Sequence, residues 1–345
     1  MYKLGIIGDG YTAADLLRLL ARHPHFEVIS IFSTENIDKR IDEVYPHLRG
    51  FSDLICRESD WNLLKGECDG VFLALPHGLS VPIVKELLPS GIKCVDLGAD
   101  FRLRDASVYE KYYELVHEAP TLLGEAVYGI PELYREDIKK SSLLANPGCF
   151  PTGAILALAP LLQAGLIEEK GIVIDSKTGV SGAGRTPRAS SMFCDVNEGI
   201  KAYGVGSHRH APEIAQELSL AAQAEVNLVF TPHLVPMNRG ILTTTYSRLK
   251  AGIKAKQIRA ILDDYYKKEK FIRILPEGVM PHTKWVYGSN YVDIGIYADD
   301  ISGNVIVVSS LDNLVKGASG QAVQNLNLMF GIEEDVGLDF AGVYP

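Results

Sequence analysis

The chain is poor in cysteine, and what it has is badly placed for a disulfide framework. Cys56, Cys68, Cys94, Cys149 and Cys194 are odd in number, and no two form a C-x-x-C pair. A zinc knot or a stapled secreted fold is therefore excluded, and reduced thiols, mostly buried as small hydrophobes, are expected. Long hydrophobic runs are missing as well. The longest, Ala154–Leu162, falls short of the roughly 18 residues needed to span a bilayer. The opening MYKLGIIGDG is too short in apolar length and too rich in glycine for a signal peptide. There is no Lys/Arg run or basic-aromatic stretch to offset a net charge of -9, from 34 basic and 43 acidic residues. That balance argues against nucleic acid or an anionic membrane as partner. Internal repeats and low-complexity linkers are also lacking. These absences predict a cytoplasmic globular protein that acts on small molecules.

Of the 345 residues, 47% are hydrophobic and 22% charged, enough apolar material for about two domains of roughly 100–200 residues. Leu4–Ile7 is a short apolar run that stops at Gly8 and Gly10, after which Ala13, Leu16, Leu17 and Leu20 recur at helical spacing. Further apolar runs at 27–32, 70–75 and 93–97 alternate with helical or loop segments, the signature of a doubly wound parallel sheet with right-handed crossovers. From about Asn146 the texture changes. One long helix near 152–164 precedes extended segments at 171–177, 226–235, 240–249, 291–297 and 305–309, which predict a mostly antiparallel α+β domain. Leu314, Ala318, Ala322, Val323, Leu326 and Phe330 then mark one face of a final helix.

Gly8-Asp9-Gly10-Tyr11-Thr12-Ala13 matches G-x-G-x-x-A between a strand and a helix. The first glycine allows the tight turn and the second lets the backbone approach a pyrophosphate. The helix start, with Tyr11 and Thr12, supplies free amides and the positive end of a dipole. After the second strand, NAD enzymes place an acid on the ribose. Here Ser33 and Thr34 stand in that place with Glu35 as an awkward neighbour, and hydroxyls suit a 2′-phosphate, so NADP is the expected cofactor.

Asn146-Pro147-Gly148-Cys149-Phe150-Pro151-Thr152-Gly153 carries the most chemistry. Pro-Gly forces a turn and Pro151 suits the opening of a helix, which places Cys149 at a helix N-terminus where a thiolate is favoured. The same amides could hold an oxyanion. His208 and His210, in His208-Arg209-His210-Ala211-Pro212-Glu213, adjoin a second helix expected to open at Pro212. A neutral imidazole there can accept a proton. No cysteine or acid stands at ligand spacing from the pair, so no metal is expected. Arg102, following a strand, is the foremost candidate among the cations for a substrate anion. Arg104, Arg185, Arg188, Arg209 and Arg239 are further candidates. Ser181-Gly182-Ala183-Gly184 is a loop able to approach cofactor or substrate closely.

Taken together, GDGYTAADLLRLLARHP, VYPHLRG, DLGADFRL, YGIPEL, NPGCFPT, TGVSGAGR, HRHAPEI and DNLVKGASGQAVQNLNLMFG resemble the N-acetyl-γ-glutamyl-phosphate reductase family, of the semialdehyde dehydrogenase superfamily, almost end to end. The family's glycine loop reads GxSGYTG and is one residue shorter here, so rearranged phosphate contacts are expected. The resemblance implies a Rossmann domain over 1–146 and a catalytic domain like that of glyceraldehyde-3-phosphate dehydrogenase over 147–312. A C-terminal segment, 313–345, would return its helix to the first domain, with Asn313 reaching the nicotinamide. Cys149 would be the nucleophile, His210 the main acid/base and His208 its neighbour. Arg102, Asn146 and Arg209 would meet the substrate, an acyl phosphate reduced to an aldehyde by NADPH in arginine biosynthesis. A homo-oligomer, dimer or tetramer, is implied. The rivals are an aspartate-semialdehyde dehydrogenase, a lysine-pathway aminoadipyl-phosphate reductase, and a dinucleotide-sensing protein with no turnover.

Overall fold

A computed structural model describes residues 1–345 and divides into two units. One comprises 1–147 with 318–339, the other 148–317 with 340–345. The expected C-terminal segment is thus shared between them.

In the first unit the strands are β1 (Tyr2–Ile7), β2 (Phe26–Phe32), β3 (Cys56–Arg57), β4 (Gly70–Leu73), β5 (Lys93–Asp96), β6 (Val127–Tyr128) and β7 (Leu143–Ala145). They form one sheet in the order β3-β2-β1-β4-β5-β7-β6, and every pairing is parallel. Parallel strands covered on both faces read as continuous apolar runs rather than alternating ones. Leu4, Ile6, Val71, Phe72 and Val95 are fully buried accordingly. This is a Rossmann domain. The first helix, Tyr11–Leu20, buries Ala13, Leu16, Leu17 and Leu20 as their spacing predicts. Helix Gly320–Met329 belongs to this unit. Asn325 Nδ2 donates to Gly129 O at 2.8 Å.

The strands of the second unit are β8 (Ile172–Thr178), β9 (Lys201–Ala202), β10 (Leu228–Leu234), β11 (Ile241–Arg248), β12 (Ile272–Ile274), β13 (Val292–Ala298) and β14 (Asn304–Leu311). Their order is β12-β13-β14-β11-β8-β10-β9. The sheet is mostly antiparallel, as expected, but mixed, because β8 pairs with β10 and β12 with β13 in parallel. β11 alternates strictly, with Ile241, Thr243, Thr245 and Ser247 inward. Two of the inward hydroxyls are satisfied locally, Thr243 Oγ1 meeting Ser176 Oγ at 2.9 Å and Thr245 Oγ1 donating to Val307 O at 3.0 Å, whereas Ser247 Oγ has no partner.

Helix Cys149–Gln163 lies against the inner face of this sheet, and every residue from Phe150 to Leu162 is buried. A helix that is apolar on all sides belongs in a core. Deleting a side chain such as Leu156 should cost roughly 2–5 kcal/mol. The helix approaches the sheet closely at Gly153, where a Cβ would stand 3.0 Å from Ser309 Oγ. Tyr266 OH donates to Leu156 O at 2.6 Å.

Candidate active site

Cys149 is the first residue of its helix, with Gly148 as N-cap in extended backbone, and Pro151 is the third residue rather than the first. The histidine helix, His210–Ala222, likewise starts earlier than Pro212 suggests, placing His210 on its first turn. The imidazole of His210 rests against the cysteine turn, where a Cβ on Gly148 would lie 2.6 Å from Nε2. Gly317 closes the site from another side, its own Cβ position being 2.9 Å from Cys149 Cβ. A side chain at either glycine would force a neighbour to shift.

Glu213 stands one turn after His210 and is 1% exposed. Its Oε1 accepts the backbone N–H of Gly148 at 2.8 Å, so a buried carboxylate fixes the turn that presents the thiol. Sequence reasoning passed over it. The available signal was the i, i+3 spacing from His210, which places both on one helix face. Tyr203 was missed too. Burial, and then the charge of Cys149, push its phenol up.

His208 has a different role. Its Nδ1 accepts the backbone N–H of His210 at 3.1 Å, which assigns the ring proton to Nε2. Its ring meets Phe150, Tyr203 and Phe230 edge-on. Burial, and next the charge of Arg209, push the imidazole down to about 4. His208 is therefore neutral through the physiological range. Arg209, at the helix N-cap, is exposed.

The other thiols are distinct from Cys149. Burial pushes Cys56 up to about 11 and Cys94 up to about 12, values at which neither is a nucleophile. Cys194 is exposed. No group of three or more His, Cys, Asp or Glu is arranged to hold a metal.

Several residues expected to meet ligands are engaged with the protein itself. Arg102, 8% exposed, donates from Nε to Asn146 O at 2.8 Å and from Nη2 to Leu97 O at 2.9 Å. Asn146 is wholly buried. Its Nδ2 donates to Ala318 O, and its Oδ1 accepts from Asn325 Nδ2. The pair braces the end of β7. Asn313, 2% exposed, accepts from Gly240 N at 2.7 Å and donates to Ser181 Oγ at 3.0 Å. It thereby holds the turn Val180–Ala183; Gly182 within it and Gly184 just after it are exposed. Arg239 pairs with buried Asp312 at 3.2 Å.

In the first unit the glycine loop makes a tight turn against β4's end. Gly8 has φ +112, and a Cβ there would stand 2.2 Å from Ala74 O. A Cβ on Gly10 would meet nothing within 4 Å, so the loop faces open space. The helix that follows has no side-chain cap, which leaves the first-turn amides, those of Tyr11 and Thr12 among them, for a ligand. Thr34 is exposed, whereas Ser33 is buried and donates to Asp9 Oδ2 at 2.7 Å.

Comparison with known proteins agrees with this arrangement. Residues 3–141 match the semialdehyde dehydrogenase NAD binding domain, and residues 149–313 the semialdehyde dehydrogenase dimerisation domain. The chain belongs to the semialdehyde dehydrogenase family, whose members are NAD(P)-dependent oxidoreductases. It is 51% identical, over 100% of both chains, to the N-acetyl-γ-glutamyl-phosphate reductase of Heliobacterium modesticaldum. Among solved structures it is similar in fold to aspartate semialdehyde dehydrogenase II of Vibrio cholerae (TM-score 0.73, 17% identity, 96% and 98% of the two chains). A second is the aspartate semialdehyde dehydrogenase of Candida albicans with NADP (TM-score 0.69, 18% identity, 97% and 99%). No helix is long and apolar enough to cross a membrane.

Proposed function

We propose that this chain reduces N-acetyl-γ-glutamyl phosphate to N-acetylglutamate 5-semialdehyde and phosphate, the arginine-biosynthetic step, through a thioester on Cys149. The observation that carries the reading is the seating of His210 against Gly148, at the helix start that bears the nucleophile. The Cys149 thiolate attacks the acyl carbon, and the first-turn amides of Cys149 and Phe150 stabilise the oxyanion (Pro151 has no N–H to give). Collapse expels phosphate and leaves the thioester. When bound, a nicotinamide dinucleotide would supply the hydride that reduces that carbon. His210, carrying the proton it took from the Cys149 thiol, donates it to the resulting hemithioacetal oxygen; as the carbonyl re-forms that proton returns to His210, the C–S bond breaks to give back the thiolate, and the aldehyde is released. Glu213 acts through the Gly148 amide as a positioning residue.

The dinucleotide fits the glycine loop on the evidence of the open space at Gly10. The NADPH expected from sequence rests on Ser33 and Thr34. Of these, Thr34 is open to a ligand, while Ser33 is committed to Asp9. The absence of any disulfide among the five cysteines supports work in the reducing cytoplasm. The dimerisation-domain match supports a homo-oligomer, and the outer face of the second sheet suits that contact, with Val229, Tyr246 and Tyr297 exposed at 54%, 44% and 50%.

The test is the reverse reaction, reduction of the oxidised dinucleotide by N-acetylglutamate semialdehyde. It should require inorganic phosphate and vanish in Cys149→Ser, with dinucleotide binding retained. Activity of that variant within tenfold of wild type would overturn the thioester route. Activity on aspartate semialdehyde alone would overturn the substrate assignment.

A further inference from the structure

β14 ends at Leu311, and the chain then passes into the turn Val315–Ser319, which is π-helical rather than α-helical. One buried carboxylate organises it. Asp312 is 0% exposed. Its Oδ1 accepts the amides of Leu314 and Val315 at 2.9 and 3.2 Å, and its Oδ2 accepts the amide of Gly288 at 2.7 Å. Its backbone carbonyl accepts the amides of Val315 and Gly317 at 3.2 and 2.9 Å. Gly317 is the residue packed on the nucleophile: a Cβ there would stand 2.9 Å from Cys149 Cβ and 3.3 Å from Asp312 O. Side chain and main chain of Asp312 thus hold the same piece of backbone, the one against which Cys149 rests.

Only a carboxylate accepts on both oxygens, so the turn requires a charged residue at this place. Burying a charge is no gain in stability by itself, and a negative charge one residue away from Gly317 opposes both a thiolate and an oxyanion. Arg239 answers that charge. Its Nε lies 3.2 Å from both Asp312 oxygens, and its guanidinium stands 5.8 Å from the centre of the Tyr287 ring. Further titratable groups surround the cysteine: Glu213 behind Gly148, the rings of His208 and His210, and Tyr203. Lys316, fully buried on the turn itself, stands over the ring of Phe271. All of these stay constant when Asp312 or Arg239 is replaced.

We propose that Asp312 and Arg239 are a positioning pair for the nucleophile: the carboxylate holds the turn that seats Gly317 on Cys149, and the guanidinium cancels its charge so that the thiolate is not opposed. This assignment rests on the thioester reading and deepens it. The test is the pH dependence of Cys149 alkylation by iodoacetamide in the full chain, followed at the Cys149 peptide by mass spectrometry so that exposed Cys194 does not contribute. Arg239→Gln leaves the carboxylate bare and should raise the midpoint of the profile by at least about half a pH unit. Asp312→Asn leaves the guanidinium bare and should lower it by a similar amount. The double variant, with neither charge, should return close to the wild-type midpoint. Should Arg239→Gln not fold, Asp312→Asn and the double variant carry the test. Smaller shifts, or shifts of both single variants in one direction as a merely structural role would give, overturn the pair while turnover still depends on Cys149. Turnover retained in Cys149→Ser removes the thioester reading and the pair's role with it.

Discussion

The imidazole of His210 lies so close to Gly148 that a Cβ on the glycine would stand 2.6 Å from Nε2. One hydrogen atom at this position thus separates the turn that bears Cys149 from the His210 ring, the proposed acid/base. Gly148→Ala should displace the ring, lowering kcat by roughly a hundredfold, the lower end of what a general acid/base contributes. Overpacking should cost about 1–3 kcal/mol, read as a lower Tm. A variant with wild-type kcat and unchanged Tm would show that the ring yields freely.

The two histidines should separate in kinetics. His210→Asn should lose two to four decades in kcat, roughly the worth of a general acid/base, and one limb of the pH profile. His208 is held neutral by burial, with its Nδ1 occupied by a backbone N–H. His208→Asn should therefore lose far less and keep both limbs. If the larger loss falls on His208, the roles are reversed although the thioester chemistry stands.

Glu213 should behave as a positioning residue. Glu213→Gln keeps an oxygen that can accept from Gly148 N, so the turn survives and kcat should fall less than about tenfold. Glu213→Ala leaves the buried Gly148 amide unsatisfied, at a cost of about 1–3 kcal/mol, and should lose kcat much more steeply. Alkylation of Cys149 by iodoacetamide gives a second readout: it should slow in the alanine variant and recover in the glutamine one. Equal losses in the two variants would argue against the role.

Acid should destabilise the protein partly through His208. Its pKa of about 4 in the folded state lies below the ordinary value near 6.5, so the unfolded chain binds the extra proton. The stabilisation is complete above about pH 6.5 and is lost as pH falls towards 4, to a limit of about 3 kcal/mol. Asp96, pushed up by burial and by the charge of Asp100, acts in the opposite sense over that range. Denaturant melts of wild type and His208→Asn should therefore be compared at each pH. The gap between them should narrow as the solution is acidified, and a constant gap would exclude the assignment.

The outer sheet face offers one more substitution. Val229→Asp places an unpaired charge among Val229, Tyr246 and Tyr297, and should shift sedimentation towards the monomer at micromolar concentration. An unchanged oligomer would place the contact elsewhere.

What the sequence determined by itself is the part of the protein set by neighbours along the chain. The β1 run, the glycine loop and the helical spacing of Ala13, Leu16, Leu17 and Leu20 suffice for a Rossmann opening, because period and turn chemistry are local. Pro147-Gly148-Cys149 suffices for a cysteine at a helix start for the same reason. Tertiary structure decided what depends on residues far apart. Glu213 reaches Gly148 across 65 positions, and Asp9 reaches Ser33 across 24. Arg102 was legible as a cation but not as a brace on Asn146, because a charged side chain's partner is chosen by packing and burial. The parallel pairings β8–β10 and β12–β13 were likewise invisible, since strand direction within a mixed sheet is set by connections and not by the composition of a strand. Local physics names the reactive groups, and only the folded chain decides which buried polar atoms must find one another.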